Sequence, residues 1–306
     1  MGVSETHVVT GAFSYTGRYI TERLLAKGIA VKTLTGHPDR PNPFAGRVVA
    51  LPFDFDKPEA LAKSLEGASV VYNTYWVRFT HGATSFDQAV ENTKTLVRAA
   101  EAAGVSRLVH VSIANADPNS PLPYYSGKGK LEQFIRESKL SHAIVCPTVI
   151  YSLHDVLINN IAWIARRFPA FGVPGKGDYG IQPIFIDDMA DLMVDAGSRT
   201  ENMHVDAVGP EIFTFDELVR IIARSIKRNV AILHMPPGLA LLASQVIGLF
   251  VSDVVLTKEE VDGLMAGLLV SKRPPTGKTK LTEWLAQNAD KVGSTYASEL
   301  GRHFRG

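Results

Sequence analysis

The sequence predicts an α/β protein, with a doubly wound parallel sheet followed by a smaller, mostly helical C-terminal lobe. Apolar runs rich in β-branched residues alternate with stretches of helical period through the first half of the chain. Such alternation is typical of a parallel sheet covered by crossover helices. The 306 residues, of which 45% are hydrophobic and 21% charged, suit a globular chain of about two domains.

The first half supplies the elements of the sheet in order. Each predicted helix lies between two predicted strands, and right-handed crossovers then place ligand-binding residues beyond the carboxyl ends of the strands. The predicted strands are His7–Thr10, Val31–Thr35, Arg47–Pro52, Ser69–Asn73, Arg107–Ser112 and His142–Cys146. The predicted helices are Gly17–Lys27, Pro58–Leu65, Ser85–Ala103 and Gly127–Glu137.

The second half is less regular. We expect residues 1–150 with about 181–200 to form one domain, and 151–180 with 201–306 to form a lobe for a substrate or a partner. Helix signals mark the starts of two segments, at Thr214 or Asp216 and at the capping box Thr257-Lys258-Glu259-Glu260. The predicted elements are a helix near Val156–Arg167, a Pro/Gly loop Phe168–Gly180, a strand Gln182–Ile186, and helices Asp188–Ala196, Phe215–Ile226 and Val261–Leu269.

Composition excludes several classes of protein. The 32 Lys and Arg residues nearly balance the 31 Asp and Glu residues, and no basic run stands out, so no nucleic-acid partner is expected. Cys146 is the single cysteine, which predicts no internal disulfide and a reducing, cytoplasmic location. Met1–Val9 lacks the features of an export peptide. No metal site is expected, because the histidines show no ligand pair at helical spacing.

One apolar stretch, 238–252, raises the question of membrane contact. It follows Pro236-Pro237 and is about 15 residues long, short of the roughly 20 that span a bilayer. We expect a buried or interface helix here, through which the chain contacts a protein partner or a second copy of itself; peripheral contact with a membrane surface is the alternative.

A glycine-rich turn joins the first predicted strand to the first helix. Gly11 permits the sharp turn, Gly17 lets the helix pack close to the sheet, and the helix N-terminus favours a pyrophosphate. Ser14 stands where a second glycine is common, so the fingerprint is incomplete. A tight structural turn is the alternative. The candidate cofactor-binding residues in this turn are Gly11, Phe13, Ser14, Tyr15, Thr16 and Gly17.

The end of the second strand bears on the choice between NAD and NADP. No acidic residue occupies the strand end at Thr35, whereas His37 and Arg40 are placed to attract a 2′-phosphate. The sequence therefore favours NADP, and Asp39 keeps NAD possible.

A tyrosine and a lysine lie one helical turn apart, at Tyr124 and Lys128. A nearby ammonium stabilises a phenolate and lowers its pKa, which would let Tyr124 exchange a proton with a hydroxyl or carbonyl group. Ser112 ends a strand at the same predicted edge, where its hydroxyl could orient the substrate oxygen. Ser112, Tyr124 and Lys128 are the candidate catalytic residues.

With these motifs in order, the chain resembles the short-chain dehydrogenase/reductase superfamily. Within it, the resemblance is to the extended or atypical branch that includes NmrA-like proteins and the nucleotide-binding accessory subunit of respiratory complex I. It covers about the first 190 residues. The residues that carry it are Thr10-Gly11 with Gly17, Asp54-Phe55, Asn73, Glu91-Asn92, Val109-His110-Val111-Ser112, Tyr124 with Lys128, Pro147-Thr148 and Ile184-Phe185-Ile186-Asp187-Asp188.

The resemblance implies a Rossmann fold and several further cofactor contacts. Asp54 and Phe55 would lie by the adenine, and Asn73 and Tyr75 along the cofactor path. Lys128 would also hold the nicotinamide ribose. Pro147, Thr148 and Val149 would flank the nicotinamide. The aromatic segment Tyr75-Trp76-Val77-Arg78-Phe79 departs from many relatives. It would narrow the pocket, or its aromatic residues would belong to the core or to a subunit contact, which we expect for Trp76.

Three functions remain open on the sequence. The first is an NAD(P)-dependent oxidoreductase that acts on an unidentified carbonyl or alcohol, with Tyr124 as acid/base. The second is a non-catalytic NAD(P)H-binding redox sensor or assembly subunit. The third is a sugar-nucleotide epimerase or dehydratase, for which the C-terminal lobe shows no obvious basic cluster.

Overall fold

The computed structural model describes residues 5–80 and 84–303, with the side chains of the last two left out. The first four residues of the segment predicted to lack an export signal lie outside the described residues. The chain divides into two compact units. Unit 1 comprises the chain up to Cys146 together with Ala190–Val205, and unit 2 comprises Pro147–Met189 together with the chain from Asp206 onward.

Unit 1 is built on a seven-stranded sheet with the strand order β11-β6-β5-β4-β1-β2-β3. All five strand pairs from β3 to β6 are parallel, so the predicted doubly wound sheet is confirmed. The chain reverses its direction across the sheet between β1 and β4, which is where ligands bind in open α/β sheets. The strands are β1 Thr6–Thr10, β2 Ala30–Thr35, β3 Val48–Pro52, β4 Val70–Asn73, β5 Arg107–Val111, β6 Ser141–Pro147 and β11 Met203–Ala207.

Helices connect most of these strands and bury one apolar face each. Leu61, Leu65, Leu96 and Ile135 are fully buried from three of these helices in one core cluster with the sheet. The predicted helix Gly127–Glu137 begins four residues earlier than expected, because Pro123 occupies the first turn, where its fixed φ and missing N–H cost nothing. The helices are α1 Tyr15–Ala26, α2 Pro58–Leu65, α3 Phe86–Ala102, α4 Pro123–Glu137 and α6 Ile186–Gly197.

Unit 2 contains short two-stranded sheets and helices around its own core, in which Tyr151, Leu218 and Trp284 are buried. Both predicted helix starts are confirmed, since Thr214 with Glu217 and Thr257 with Glu260 form capping boxes. The strands are β7 Val149–Tyr151, β8 Ala170–Pro174, β9 Gly180–Ile181, β10 Pro183–Phe185, β12 Phe213–Thr214 and β13 Ala231–Met235. The helices are α5 Leu157–Arg167, α7 Phe215–Ser225, α8 Pro237–Val251, α9 Lys258–Met265, α10 Leu281–Asn288 and α11 Glu299–His303.

The prediction of a loop over Phe168–Gly180 is wrong in part, because β8 occupies its middle. β8 pairs in parallel with β13 over five residue pairs. Gly172 and Pro174 are residue types that disfavour a strand, so sequence propensities do not predict β8. Its backbone hydrogen bonds are made with β13, a segment about 60 residues away in the sequence.

The apolar stretch predicted from the sequence forms α8. Its small residues Ala240, Ser244 and Gly248 are buried, whereas Leu249 is 82% and Phe250 87% exposed. The expectation of a buried helix is therefore wrong for most of its surface, and the interface alternative stays a prediction. Among the described residues, no helix has both the length and the apolar character needed to cross a membrane.

Candidate functional site

The glycine-rich turn adopts the geometry that a dinucleotide site needs. Gly11 has a φ of +65°, and its N–H donates to the carbonyl of Leu34 at 2.8 Å. A methyl group at Gly17 would collide with the carbonyl of Gly11, so only glycine allows this close approach of helix and turn. The Ser14 hydroxyl donates to the same Gly11 carbonyl at 2.6 Å, which closes the turn where the second glycine is missing. Phe13, Ser14, Tyr15 and Thr16 are all half-buried around the start of α1.

The ends of β1, β4 and β5 are tied together by buried side chains. The Thr10 hydroxyl accepts from the backbone N–H groups of Thr74 and Tyr75, and donates to the Asn73 amide oxygen at 3.2 Å. The Asn73 amide nitrogen in turn contacts Nδ1 of His110 at 3.0 Å. Because Asn73 is fully buried in this network, it fixes the strand ends. Its predicted cofactor contact stays a prediction.

An aromatic cluster follows β3 and β4. The rings of Phe53 and Phe55 stack with centroids 4.9 Å apart, and both pack on Tyr75 at 5.3 and 5.2 Å. The Tyr75 hydroxyl accepts from Asn92 at 2.9 Å, which braces the ring against α3. Asp54, between the two phenylalanines, is half-buried and pairs with Lys57 at 3.1 Å. This cluster lines the region where the resemblance puts the adenine.

The residues that directly follow β2 form a turn. The His37 N–H donates to the Thr35 hydroxyl at 3.2 Å, and the Arg40 N–H donates to the carbonyl of His37 at 3.3 Å. The His37 side chain is exposed and that of Arg40 is half-buried. Both candidates therefore lie at the carboxyl end of the strand next to the glycine turn, where a 2′-phosphate is recognised in this type of fold.

Tyr124 and Lys128 share one face of α4, as predicted, and Trp76 packs on both. The Tyr124 ring meets the Trp76 ring edge-on with centroids 5.8 Å apart. The Lys128 ammonium lies 4.2 Å from the centroid of the Trp76 ring and donates to the Val111 carbonyl at 2.7 Å. Phe86 completes the cluster, with its ring centroid 5.7 Å from that of Tyr124.

Gly127 makes this arrangement of Trp76 possible. A methyl group at this position would approach Cη2 of Trp76 to 3.1 Å and Cγ2 of Val90 to 3.2 Å, which is tighter than ordinary contact. The absent side chain of Gly127 therefore lets the indole lie against α4. Trp76 is half-buried and contacts two of the candidate catalytic side chains, Tyr124 and Lys128.

Burial changes the ionisation of the lysine. Lys128 is 2% exposed, and burial lowers its pKa to about 7 although Cys146 and Glu132 nearby oppose the change. A neighbouring imidazole is affected in the same direction, because burial, reinforced by the charge of Lys128, lowers the pKa of His110 to about 3. At neutral pH His110 is uncharged and Lys128 is only partly protonated. Lys128 therefore supports a Tyr124 phenolate less than a fully charged ammonium would.

The Ser112 hydroxyl is engaged within unit 1. Ser112 is 3% exposed, and its Oγ donates to Glu132 Oε1 at 2.6 Å. Burial disfavours the ionised carboxylate, but hydrogen bonds from His204 and Ser112 outweigh it and lower the pKa of Glu132 to about 2. A serine hydroxyl can donate only one hydrogen bond, and that of Ser112 is donated to Glu132. To donate to a substrate carbonyl instead, the hydroxyl would have to rotate.

The three residues predicted to flank the nicotinamide fall where the chain passes from unit 1 to unit 2. Pro147 is the last residue of β6, and Val149 begins β7. The Thr148 hydroxyl donates to the backbone carbonyl of Gln182, within unit 2. Their predicted contact with the cofactor stays a prediction.

Glu132 and Phe53 were missed by sequence reasoning. Glu132 lies four residues after Lys128, so Tyr124, Lys128 and Glu132 form an i, i+4, i+8 series on one helix face, a signal available in the sequence. Phe53 directly precedes Asp54-Phe55, and its role depends on the ring of Tyr75, which follows another strand. No local pattern gives that contact.

Comparison with known proteins agrees with this geometry. Residues 11–155 match the family model described as NAD(P)H-binding. The chain is 25% identical over 246 residues to the mitochondrial NADH-ubiquinone oxidoreductase 40 kDa subunit of Neurospora crassa, a match to 76% of this chain and 63% of that protein. It is also 25% identical over 240 residues to the mitochondrial NADH dehydrogenase 1 alpha subcomplex subunit 9 of Arabidopsis thaliana, a match to 74% of this chain and 60% of that protein. The chain thus spans about three fifths of the length of these curated relatives.

Solved structures share the fold. An NADPH-dependent quinone oxidoreductase from Escherichia coli, solved with NADPH, has a TM-score of 0.74 at 19% identity, covering 92% of this chain and 99% of that one. At this identity the likeness concerns the fold alone. The mitochondrial location is that of the named relatives, and a cytoplasmic location for this chain stays a prediction. Residues 11–155 therefore match an NAD(P)H-binding domain, and about three quarters of the chain is similar to these two mitochondrial subunits.

Proposed function

We propose that this chain binds NADPH as a non-catalytic nucleotide-binding subunit of a larger protein assembly. The observation that carries the proposal is the position of Trp76, whose indole lies over the Lys128 ammonium and against the Tyr124 ring. In this arrangement the indole covers the ammonium that would hold the nicotinamide ribose, and it packs edge-on against the ring of the candidate acid/base Tyr124.

Nucleotide binding is supported by the turn between β1 and α1. The positive φ of Gly11 and the tight contact at Gly17 keep the backbone close to the start of α1, where first-turn N–H groups favour a pyrophosphate. His37 and Arg40 favour NADPH over NADH, because no carboxylate at the end of β2 repels a 2′-phosphate. The rings of Phe53, Phe55 and Tyr75 offer an apolar surface to the adenine.

The absence of turnover is supported by how the three candidate catalytic groups are used. The Ser112 hydroxyl donates its hydrogen bond to Glu132. The Lys128 ammonium, which lies against the Trp76 ring, donates a hydrogen bond to the Val111 carbonyl. Burial lowers the pKa of Lys128 to about 7, so its ammonium stabilises a Tyr124 phenolate less than that of an exposed lysine would.

An assembly role is supported by two observations. The matched relatives are named as subunits of NADH-ubiquinone oxidoreductase. In unit 2, α8 presents Leu242, Val246, Leu249 and Phe250 to solvent, an apolar surface of the kind that protein interfaces cover. We propose that a protein partner covers α8.

The test combines nucleotide binding with hydride transfer. We expect the wild-type chain to bind NADPH and to show no measurable NADPH oxidation with a panel of quinones, aldehydes and ketones. Trp76→Ala should keep nucleotide binding and, by uncovering the Lys128 ammonium beside Tyr124, permit slow oxidation that the double variant Trp76→Ala/Tyr124→Phe loses. Turnover by the wild-type chain that Tyr124→Phe abolishes would contradict the proposal.

That contrary outcome would favour the second candidate, an oxidoreductase of the short-chain dehydrogenase/reductase type. One observation supports it, namely that Tyr124 and Lys128 lie on one face of α4, with Tyr124 only half-buried. In this case the nucleotide would displace the indole, and NADPH binding would change the fluorescence of Trp76. Trp76→Phe, with the remaining tryptophans unchanged, is the matched control for that signal.

A further inference from the structure

A thiol, an imidazole and a carboxylate meet on one side of the sheet in unit 1. Cys146 Sγ lies 3.5 Å from Glu132 Oε1 and 3.5 Å from His204 Nε2. The same His204 nitrogen lies 3.0 Å from Glu132 Oε2. Cys146 and Glu132 are buried, and the His204 side chain is 30% exposed. Neither the nucleotide site nor the candidate catalytic trio accounts for this cluster.

The three side chains contact one another in pairs instead of forming a chain, and one donor atom from each lies within 4.8 Å of the other two. In a relay of the Cys-His-acid type, the thiol and the carboxylate contact different nitrogens of the imidazole ring. Here one nitrogen, Nε2 of His204, faces both Cys146 and Glu132. This geometry does not suit an activated thiol nucleophile. It suits a common ligand in the space between the three side chains.

The separations match those of a tetrahedral metal site. Bond lengths of about 2.3 Å to sulfur and about 2.0–2.1 Å to nitrogen and oxygen, at tetrahedral angles, place donor atoms roughly 3.3–3.6 Å apart. The 3.5 Å between Cys146 Sγ and His204 Nε2 lies in this range. The carboxylate faces the sulfur with Oε1 at 3.5 Å and the imidazole with Oε2 at 3.0 Å, so it must turn to present one oxygen to the ion. Thiolate, imidazole and carboxylate together form a donor set that Zn²⁺ prefers over harder cations.

We propose that Glu132, Cys146 and His204 bind one Zn²⁺ ion. The ligands come from α4, β6 and β11, elements of the packed sheet unit, so the site is largely preformed. Three protein ligands leave a fourth position for water, on the partly exposed side near His204. Binding replaces the thiol proton of Cys146, which leaves to solvent, and the sulfur coordinates as thiolate.

Two side chains that contact Glu132, those of Ser112 and Arg136, affect the affinity of the proposed site for Zn²⁺. The Ser112 hydroxyl donates to Glu132 Oε1 at 2.6 Å and orients the carboxylate, as hydrogen bonds to the ligands do at zinc sites. Arg136 lies 2.8 Å from Glu132 Oε2 and competes with the metal as a positive charge. Because the Arg136 side chain is 44% exposed, it can turn away when a cation binds.

Spectroscopy of the full chain tests the site without reference to nucleotide or activity. Chelator-treated protein should bind one Co²⁺ with a thiolate-to-cobalt charge-transfer band in the near ultraviolet, and one Zn²⁺ should displace it. Cys146→Ser should abolish the band, and His204→Gln should weaken binding at least about tenfold. His234→Gln is the matched control, since His234 also pairs with a carboxylate, that of Asp216 at 3.0 Å, but has no thiol at hydrogen-bond distance among the contacts described.

A further variant is needed because Cys146→Ser and His204→Gln would also lose metal binding if they failed to fold. Arg136→Gln removes the competing charge from an exposed position, so it should strengthen Zn²⁺ binding severalfold. Zn²⁺ should also raise the melting temperature of the wild type and leave that of Cys146→Ser unchanged. The proposal is overturned if the wild type lacks the charge-transfer band, or if Cys146→Ser binds Co²⁺ as the wild type does.

Discussion

At the scale of single residues, the main feature of the candidate site is that two of its ionisable side chains are buried. Lys128 and His110 are both buried, and burial lowers the pKa of each, to about 7 and about 3. Both depend on neighbours that the fold supplies, the Val111 carbonyl for Lys128 and the Asn73 amide for His110. Burial therefore disfavours the charged form of both side chains, and the His110 imidazole is uncharged at neutral pH.

His110 predicts a pH dependence of stability. Its pKa in the folded chain is about 3 against an ordinary 6.5, so between these values the unfolded state binds more protons. The free energy of unfolding therefore falls as the pH falls through this window, with a slope from this group of at most about 1.4 kcal/mol per pH unit. Denaturant titrations from pH 7.5 to 4.5 should show a shallower slope for His110→Asn, whose amide can still pair with Asn73. An imidazole that titrates near pH 6.5 by NMR would contradict this prediction.

The placement of a site residue could be predicted from the sequence where a regular spacing determines it. It could not be predicted where it depends on contacts between residues distant in the sequence. The i, i+4 spacing of Tyr124 and Lys128 was sufficient to place them on one face of α4. The hydrogen bond from Ser112 to Glu132 joins a strand end to a helix 20 residues later, and the contact of Trp76 with Lys128 joins a loop to a helix. Those contacts depend on side-chain packing, which no local pattern carries.

The turn from β1 into α1 is the element on which nucleotide binding depends. Gly17→Ala places a methyl group against the carbonyl of Gly11 and the backbone nitrogen of Ala12, so the helix must shift from the sheet. We expect a loss of about 1–3 kcal/mol in the free energy of unfolding. NADPH affinity should fall at least tenfold. Denaturant titration and calorimetry measure the two effects.

Gly238→Ala is the matched control for this element. Gly238 lies in the first turn of α8, where an added methyl group would meet nothing within 4 Å. The substitution should leave NADPH affinity unchanged and raise the free energy of unfolding by at most about 1 kcal/mol. Equal NADPH affinities for Gly17→Ala and the wild type would show that the nucleotide binds elsewhere.

Element prediction succeeded where a helix or strand has a strong local signal. All six strands of the predicted parallel sheet are present, and the two capping boxes mark the starts of α7 and α9. It failed at β8 and β13, which depend on each other for backbone pairing and carry glycine, proline or exposed residues. It also missed the cluster of Glu132, Cys146 and His204, because these residues come from three elements separated by up to 72 residues.

The whole molecule combines a nucleotide-binding unit with a lobe that carries an exposed apolar helix. The NAD(P)H-binding match covers residues 11–155, and α8 lies well outside it. The chain spans about three fifths of the relatives that it matches, so its partner and its role in an assembly are proposals. Both proposals depend on the binding of NADPH by unit 1.

Isothermal titration of the purified chain with NADPH and with NADH is the decisive experiment for nucleotide binding. We expect one NADPH per chain, with NADH bound at least about tenfold more weakly, a preference that Arg40→Ala largely removes because a charge-assisted contact to the 2′-phosphate is lost. Failure to bind either nucleotide at millimolar concentration would contradict this expectation, as would tighter binding of NADH than of NADPH.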